Sequence, residues 1–192
     1  MVLRRVEPRS RLVDLVGELA DAGVRLFEVT FDGDDAGADL VAVRELVAAQ
    51  GGVVGAGTVR TAAQLEAAIA ADAAFGVSPV FDPAIVEAAL RAGLPFVPGA
   101  STPTEADAAW RSGATFVKLF PASSLGPTFV RELRGPLPEI ETIVTGGVEI
   151  SNATAFLEAG AVAVGVGSAM VRATPAQRRD LIAAITATGG PR

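Results

Sequence analysis

Short apolar runs alternate along this chain with longer segments in which apolar positions recur every three or four residues. Eight runs have the length of strands: residues 2–6, 24–30, 52–58, 73–78, 94–98, 115–120, 141–145 and 161–167. They are apolar almost throughout, not alternating, which is the pattern of parallel strands buried on both faces. The segments between them carry helical spacing over about three turns. Leu12, Leu15, Val16 and Leu19 share one face, as do Leu40, Val43 and Val47, and later Ile85, Ala88 and Ala89.

The punctuation follows the same rhythm. Thr61, Asp82, Thr102 and Ser151 stand where helix N-caps belong, and Pro83 and Pro103 occupy first helical turns. Gly23, Gly93, Gly113 and Gly160 each stand between a helical segment and the next strand. Eight strand–helix units in 192 residues leave about 24 residues per unit. The pattern predicts an α/β fold, a small single-domain (β/α)8 TIM barrel over residues 1–192, with a doubly wound open sheet as second choice. Residues 186–192 are expected to fray.

Composition narrows the chemistry. The chain has no Cys and no His, so thiol and Ser–His nucleophiles and the usual zinc sites are excluded. Its net charge of −6 argues against nucleic acid as partner. No apolar run reaches the length of a membrane span, and the first residues lack a signal-peptide pattern. A cytoplasmic protein is the expectation. Fifteen of the sixteen basic residues are Arg; Lys118 is the one Lys. Arg stays protonated, whereas a desolvated Lys can form an imine.

Barrel sites sit at the C-terminal ends of strands. Those ends carry Arg4, Glu28, Thr30, Thr58, Ser78, Lys118, Thr145 with Gly146-Gly147, and Gly167 with Ser168. Lys118 and Glu28 are lone charges inside apolar strands, a costly placement unless they face a polar cavity. Lys118 reads as a Schiff-base nucleophile or as an ion-paired lysine, Glu28 as a general acid/base or as a structural partner of Lys118 or Arg4. Thr145-Gly146-Gly147 and Gly165-Val166-Gly167-Ser168 expose backbone N–H groups after the last two strands, where barrels often hold phosphate; tight turns alone would also use these glycines. Ser123-Ser124 and the acidic run at 32–35 read as solvated loops.

Taken in order, Val2-Leu3-Arg4, Glu28-Val29-Thr30, Val54-Gly55-Ala56-Gly57-Thr58, Val77-Ser78-Pro79, Pro98-Gly99, Pro103-Thr104-Glu105, Lys118-Leu119-Phe120-Pro121, Thr145-Gly146-Gly147 and Gly165-Val166-Gly167-Ser168 resemble the 2-keto-3-deoxy-6-phosphogluconate aldolase and 4-hydroxy-2-oxoglutarate aldolase family. The resemblance spans nearly the whole chain. It implies a class I aldolase that releases pyruvate from a 2-keto-4-hydroxy acid without metal or organic cofactor, and a homotrimer. It gives Lys118 the imine, Glu28 the proton transfers through a water, and Arg4 and Thr58 the keto-acid carboxylate. Phe120 and Pro79 would line the pocket, and Thr145, Gly146, Gly147, Gly167 and Ser168 would complete the substrate and phosphate site. Two departures stand out. Asp32 occupies a position where one branch of the family has a substrate-contacting Arg, and the chain opens at its first strand without the usual lead-in helix. A phosphosugar isomerase or synthase on a similar barrel, and a family-derived engineered trimeric assembly subunit, are the alternatives.

Overall fold

Nine short parallel strands form the wall of a barrel in the computed structural model, which describes residues 1–188. In chain order they are β1 (Val2–Leu3), β2 (Leu26–Thr30), β3 (Val53–Gly57), β4 (Gly76–Val77), β5 (Phe96–Val97), β6 (Gly99–Ala100), β7 (Val117–Leu119), β8 (Thr142–Thr145) and β9 (Ala163–Gly165). They fall into one sheet ordered β1 to β5 and a second ordered β6 to β9. Two seams join them. β5 and β6 are one strand interrupted at Pro98, which has no N–H to donate. The neighbouring strand nevertheless bonds along its length, since the Lys118 N–H donates to the Pro98 carbonyl at 2.8 Å and the Phe120 N–H to that of Ala100 at 3.1 Å. At the other seam the Val2 N–H donates to the Val166 carbonyl at 2.9 Å. The barrel is therefore closed, with eight strand positions as the apolar runs predict. The fifth runs on through Ala100 past the expected end at Pro98, and most strands start later than their apolar runs.

Helices follow each strand: α1 (Arg9–Asp21), α2 (Ala36–Ala48), α3 (Ala62–Ala70), α4 (Pro83–Arg91), α5 (Pro103–Arg111), α6 (Ala122–Arg134), α7 (Ala153–Glu158), α8 (Ser168–Arg172) and α9 (Pro175–Thr188). Their apolar faces pack on the outer wall: Leu12, Leu15, Val16 and Leu19 of α1, and Leu40, Val43 and Val47 of α2, are all buried. The caps at Thr61 and Asp82 accept from backbone N–H groups of the first turn, and Thr102 forms a reciprocal capping box with Glu105. Gly23, Gly93, Gly113 and Gly160 adopt left-handed φ values of 104, 74, 88 and 110°, which fits them to the turn from helix to strand.

Three readings change. The cap expected at Ser151 is Asn152, whose side-chain oxygen accepts from the Glu149 N–H at 2.9 Å. Ser123 and Ser124 are not a loop but part of a short helical turn that Gly126, at φ 71°, and Pro127 separate by a kink from the rest of α6. Thr186 and Thr188, expected to fray, end α9, with Thr186 Oγ1 donating to the Ile182 carbonyl at 2.8 Å; the remainder of the expected frayed tail lies outside the described residues. Among the described residues no helix is long and apolar enough to cross a membrane.

Candidate active site

β2 and β7 carry the two charges that stand out in the apolar runs. Register sets their height: Glu28 lies beside Val2 and Gly55, and Lys118 beside Gly99 and Ile143. Both point into the barrel, where Lys118 is 5% and Glu28 7% exposed. Lys118 Nζ stands 3.8 Å from Glu28 Oε1. That oxygen is buried and has no hydrogen-bond partner. A cavity of about 300 Å3 is lined by Glu28, Lys118 and Thr145 and continues between Val2, Phe75 and Phe116 toward the strand starts. Thr145 Oγ1, also buried, is likewise unpartnered. A buried hydroxyl and carboxylate left open in this way suit a site that exchanges protons with a bound molecule.

Burial acts strongly on the amine. Removal from water disfavours the ammonium, so the Lys118 pKa falls below its ordinary value. The Glu28 carboxylate opposes this shift and the Arg4 guanidinium adds to it. The result is an amine with more free base at neutral pH than an exposed lysine has, which is the requirement for attack on a ketone. The Phe120 ring lies over the amine, 5.6 Å from Nζ to its centroid.

Small residues make the room. A Cβ at Gly57 would overlap the Glu28 carboxyl. Gly57→Ala is therefore expected to displace that carboxyl and lower kcat by at least about tenfold, with an overpacking cost of about 1–3 kcal/mol in stability. Steady-state kinetics alongside thermal unfolding would test it; an unchanged kcat would mean that the carboxyl position is not critical. At Gly146 (φ 87°) a Cβ would come within 2.7 Å of the Phe120 ring, and at Gly147 (φ 78°) within 2.5 Å of Ser123 Cβ. The turn after β8 is thus held between β7 and α6.

A second group lies at the mouth. Arg4, just past β1, donates from Nη2 to Thr58 Oγ1 at 3.2 Å, and its Nη1 lies 3.6 Å from Asp32. Thr58 holds a left-handed φ of 57°, strained for a β-branched residue and a recurrent mark of functional sites. Gly167 and Ser168 open α8 and share a groove with Arg4. Pro79 follows β4, its carbonyl against Gly99. The fold thus gathers Lys118, Glu28, Thr145 and Phe120 closely. Arg4 and Thr58 form a neighbouring pair, while the last two Gly turns contribute at the rim.

The acidic run at 32–35 is more than a solvated loop. Asp32 is half-buried and also lies 3.5 Å from Arg5 Nε, whose Nη2 donates to its carbonyl at 2.9 Å. The signal lay in Arg4-Arg5 standing directly at a strand end. A wider groove of about 720 Å3 over Arg9, Asp34, Asp35 and Asp39 contains neither Lys118 nor Glu28; it is a solvated face with exposed ion pairs.

The family model for KDPG and KHG aldolase matches residues 1–188. The chain is 37% identical over 174 residues to the 2-dehydro-3-deoxy-phosphogluconate aldolase of Treponema pallidum (strain Nichols), covering 90% of this chain and 80% of the relative. It is 34% identical over 172 residues to a probable 2-dehydro-3-deoxy-6-phosphogalactonate aldolase of Rhizobium meliloti (strain 1021), covering 89% and 80%. Among solved structures, one described as native KDPGal superposes with a TM-score of 0.88 at 27% identity, covering 97% of this chain and 93% of the other.

Proposed function

Because the chain belongs to the KDPG and KHG aldolase family and is thereby a carbon–carbon lyase, we propose that it cleaves 2-keto-3-deoxy-6-phosphogluconate or a related 2-keto-4-hydroxy acid reversibly, through an imine on Lys118, to pyruvate and an aldehyde. The observation that carries this reading is the desolvated Lys118 amine, 3.8 Å from Glu28 inside one cavity. The match to named aldolases favours it over an isomerase or synthase.

Lys118 Nζ adds to the C2 ketone, and the oxygen takes a proton to give a carbinolamine. Glu28, acting through a water, delivers the proton that expels this hydroxyl as water and leaves an iminium. Glu28 then accepts the proton of the C4 hydroxyl as the C3–C4 electron pair flows into the iminium. The aldehyde departs and an enamine remains. Protonation at C3 and hydrolysis release pyruvate and return the amine. Arg4 and Thr58 hold the C1 carboxylate, a charge-assisted contact suited to a guanidinium already oriented by Thr58 Oγ1. Phe120 and Pro79 wall the pocket, and Thr145, Gly146, Gly147, Gly167 and Ser168 face the distal end of the substrate. The whole chain acts as a single barrel domain, in a homotrimer and in the cytoplasm, and the reaction draws on no cofactor.

Incubation with pyruvate and borohydride is expected to fix a reduced pyruvyl group on Lys118, read by peptide mass spectrometry. An unmodified Lys118 at saturating pyruvate would overturn the imine. A panel of 2-keto-3-deoxy sugar acids and 4-hydroxy-2-oxoglutarate then identifies the substrate by kcat/KM.

A further inference from the structure

The two groups that grip the Arg4 guanidinium come from different loops. Asp32 stands two residues past β2, and Thr58 directly follows β3. Arg4 Nη2 donates to Thr58 Oγ1 at 3.2 Å, and Nη1 lies 3.6 Å from Asp32 Oδ2. Neither contact is strong alone. The Arg4 side chain is 57% exposed, and an exposed ion pair of that length adds little stability. The direction of the guanidinium therefore depends on how firmly the two loops are held to each other.

Gln64, in the first turn of α3, ties them together. Its Nε2 donates to the carbonyl of Phe31, next to Asp32, at 2.7 Å. Its Oε1 accepts at 2.8 Å from the N–H of Arg60, two residues past Thr58. The Phe31 N–H in turn donates to the Gly57 carbonyl at 2.7 Å. These bonds close a ring that runs from Phe31 through residues 57–60 to Gln64 and back. Thr58 sits inside the ring at φ 57°, a conformation that persists only where the surroundings hold it. Capping of α3, in which the Gln64 N–H donates to Thr61 Oγ1 at 3.2 Å, accounts for a bond to the chain just before the helix. It does not account for the bond to Phe31, which crosses to the other loop. Phe31 presents a carbonyl and Arg60 an N–H, so the ring needs a side chain with one donor and one acceptor.

We propose that Gln64 is a positioning residue of the substrate site: it braces the loops that carry Asp32 and Thr58, and through them aims Arg4 at the carboxylate of the keto acid. The role given to Arg4 rests on the aldolase reading above. Gln64 itself touches no substrate. It acts by fixing the separation of the two groups between which the guanidinium is held, so that the donor fork is set before the carboxylate arrives. Without the amide, the Phe31 carbonyl and the Arg60 N–H lose their link, and Thr58 can relax from its strained φ.

The test is calorimetric titration of pyruvate into the wild-type chain, Gln64→Met, Arg4→Gln and the double variant, with thermal unfolding of each to check the fold. Met keeps the length of Gln and makes neither bond. Gln64→Met is expected to weaken pyruvate binding about tenfold. In the Arg4→Gln background the same change is expected to cost less than about twofold, because the group it aims is already gone. A merely structural role would weaken both backgrounds alike. Equal loss in the two backgrounds, or no loss in Gln64→Met, overturns the proposal. If Gln64→Met does not fold, Gln64→Glu decides. It keeps the acceptor for Arg60 but sets a carboxylate against the Phe31 carbonyl. Its affinity relative to wild type is expected to be low at neutral pH and to recover as the pH falls through the ordinary carboxylate range, where the protonated acid donates again. A ratio that does not change with pH overturns the brace. Borohydride trapping on Lys118, run in parallel, separates this result from the imine. Coupling to Arg4 without an adduct overturns the imine alone, and an adduct without coupling overturns the brace alone. A wild type that does not bind pyruvate overturns both.

Discussion

Lys118→Arg and Lys118→Met are both expected to lower aldol cleavage by at least about 10^4-fold and to abolish the pyruvate–borohydride adduct. The two variants fail for different reasons. Arginine keeps the positive charge beside Glu28, but its guanidinium stays protonated and forms no imine. Methionine matches the length of the stem and removes the charge. Its effect on stability is a balance: the cost of burying an ammonium disappears, while the Glu28 carboxylate loses its cationic neighbour at 3.8 Å. Thermal unfolding of both variants separates loss of chemistry from loss of fold. Appreciable cleavage by either variant, at a rate above about 1% of wild type, would remove Lys118 from the mechanism.

Glu28→Gln is the second large effect. Loss of proton transfer is expected to lower kcat by about 10^2- to 10^4-fold. The pH dependence gives a sharper signature. Burial holds the Lys118 pKa below its ordinary value, Glu28 opposes that shift, and Arg4 assists it. Gln removes the opposing carboxylate, so the ammonium is less favoured and the pKa falls further. Imine formation requires the free amine, so the acid limb of pyruvate trapping moves to lower pH even as turnover falls. Arg4→Gln moves the same limb the other way. Rapid-quench trapping across pH measures both. An acid limb that stays in place, or rises, in Glu28→Gln would mean that the two groups do not interact as the geometry requires.

How far the site was legible in the sequence follows from these same residues. In a barrel of buried parallel strands, every wall residue ought to be apolar or small, so one Lys and one Glu inside strands stand out without any structure. That Glu28 and Lys118 meet is a matter of barrel closure, which places the second and sixth wall positions across one cavity. Caps at Thr61, Asp82 and Thr102 were legible because their chemistry is local. Asn152 displaced Ser151 because its side chain is held by the turn before α7, accepting from the Glu149 N–H and donating to the Gly147 carbonyl, with no bond to the first helical turn. Asp32 was hidden for a different reason. Its partners Arg4 and Arg5 are far away in sequence, and three more carboxylates within the next seven residues masked it. The arginines were the least legible of all. Fifteen similar side chains give no local sign of which is buried, and Arg178 on α9 is the clearest case. It is 9% exposed, it donates from Nε to the Met170 carbonyl at 3.0 Å, and its Nη1 reaches Glu18 of α1 at 2.6 Å.

That last contact and the bond from Val2 to Val166 bear on how the molecule is made. The first strand has β2 on one side and finds its other neighbour only when residues 163–166 arrive. During synthesis the nascent chain therefore exposes an unpaired sheet edge until the ribosome has delivered almost everything described, and α1 waits longer still for Arg178. Unpaired edges of this kind recruit other chains, and the long sequence separation slows closure. The window between translation of the first strand and arrival of the last is thus the period in which this barrel's open edge is most exposed to pairing with other chains.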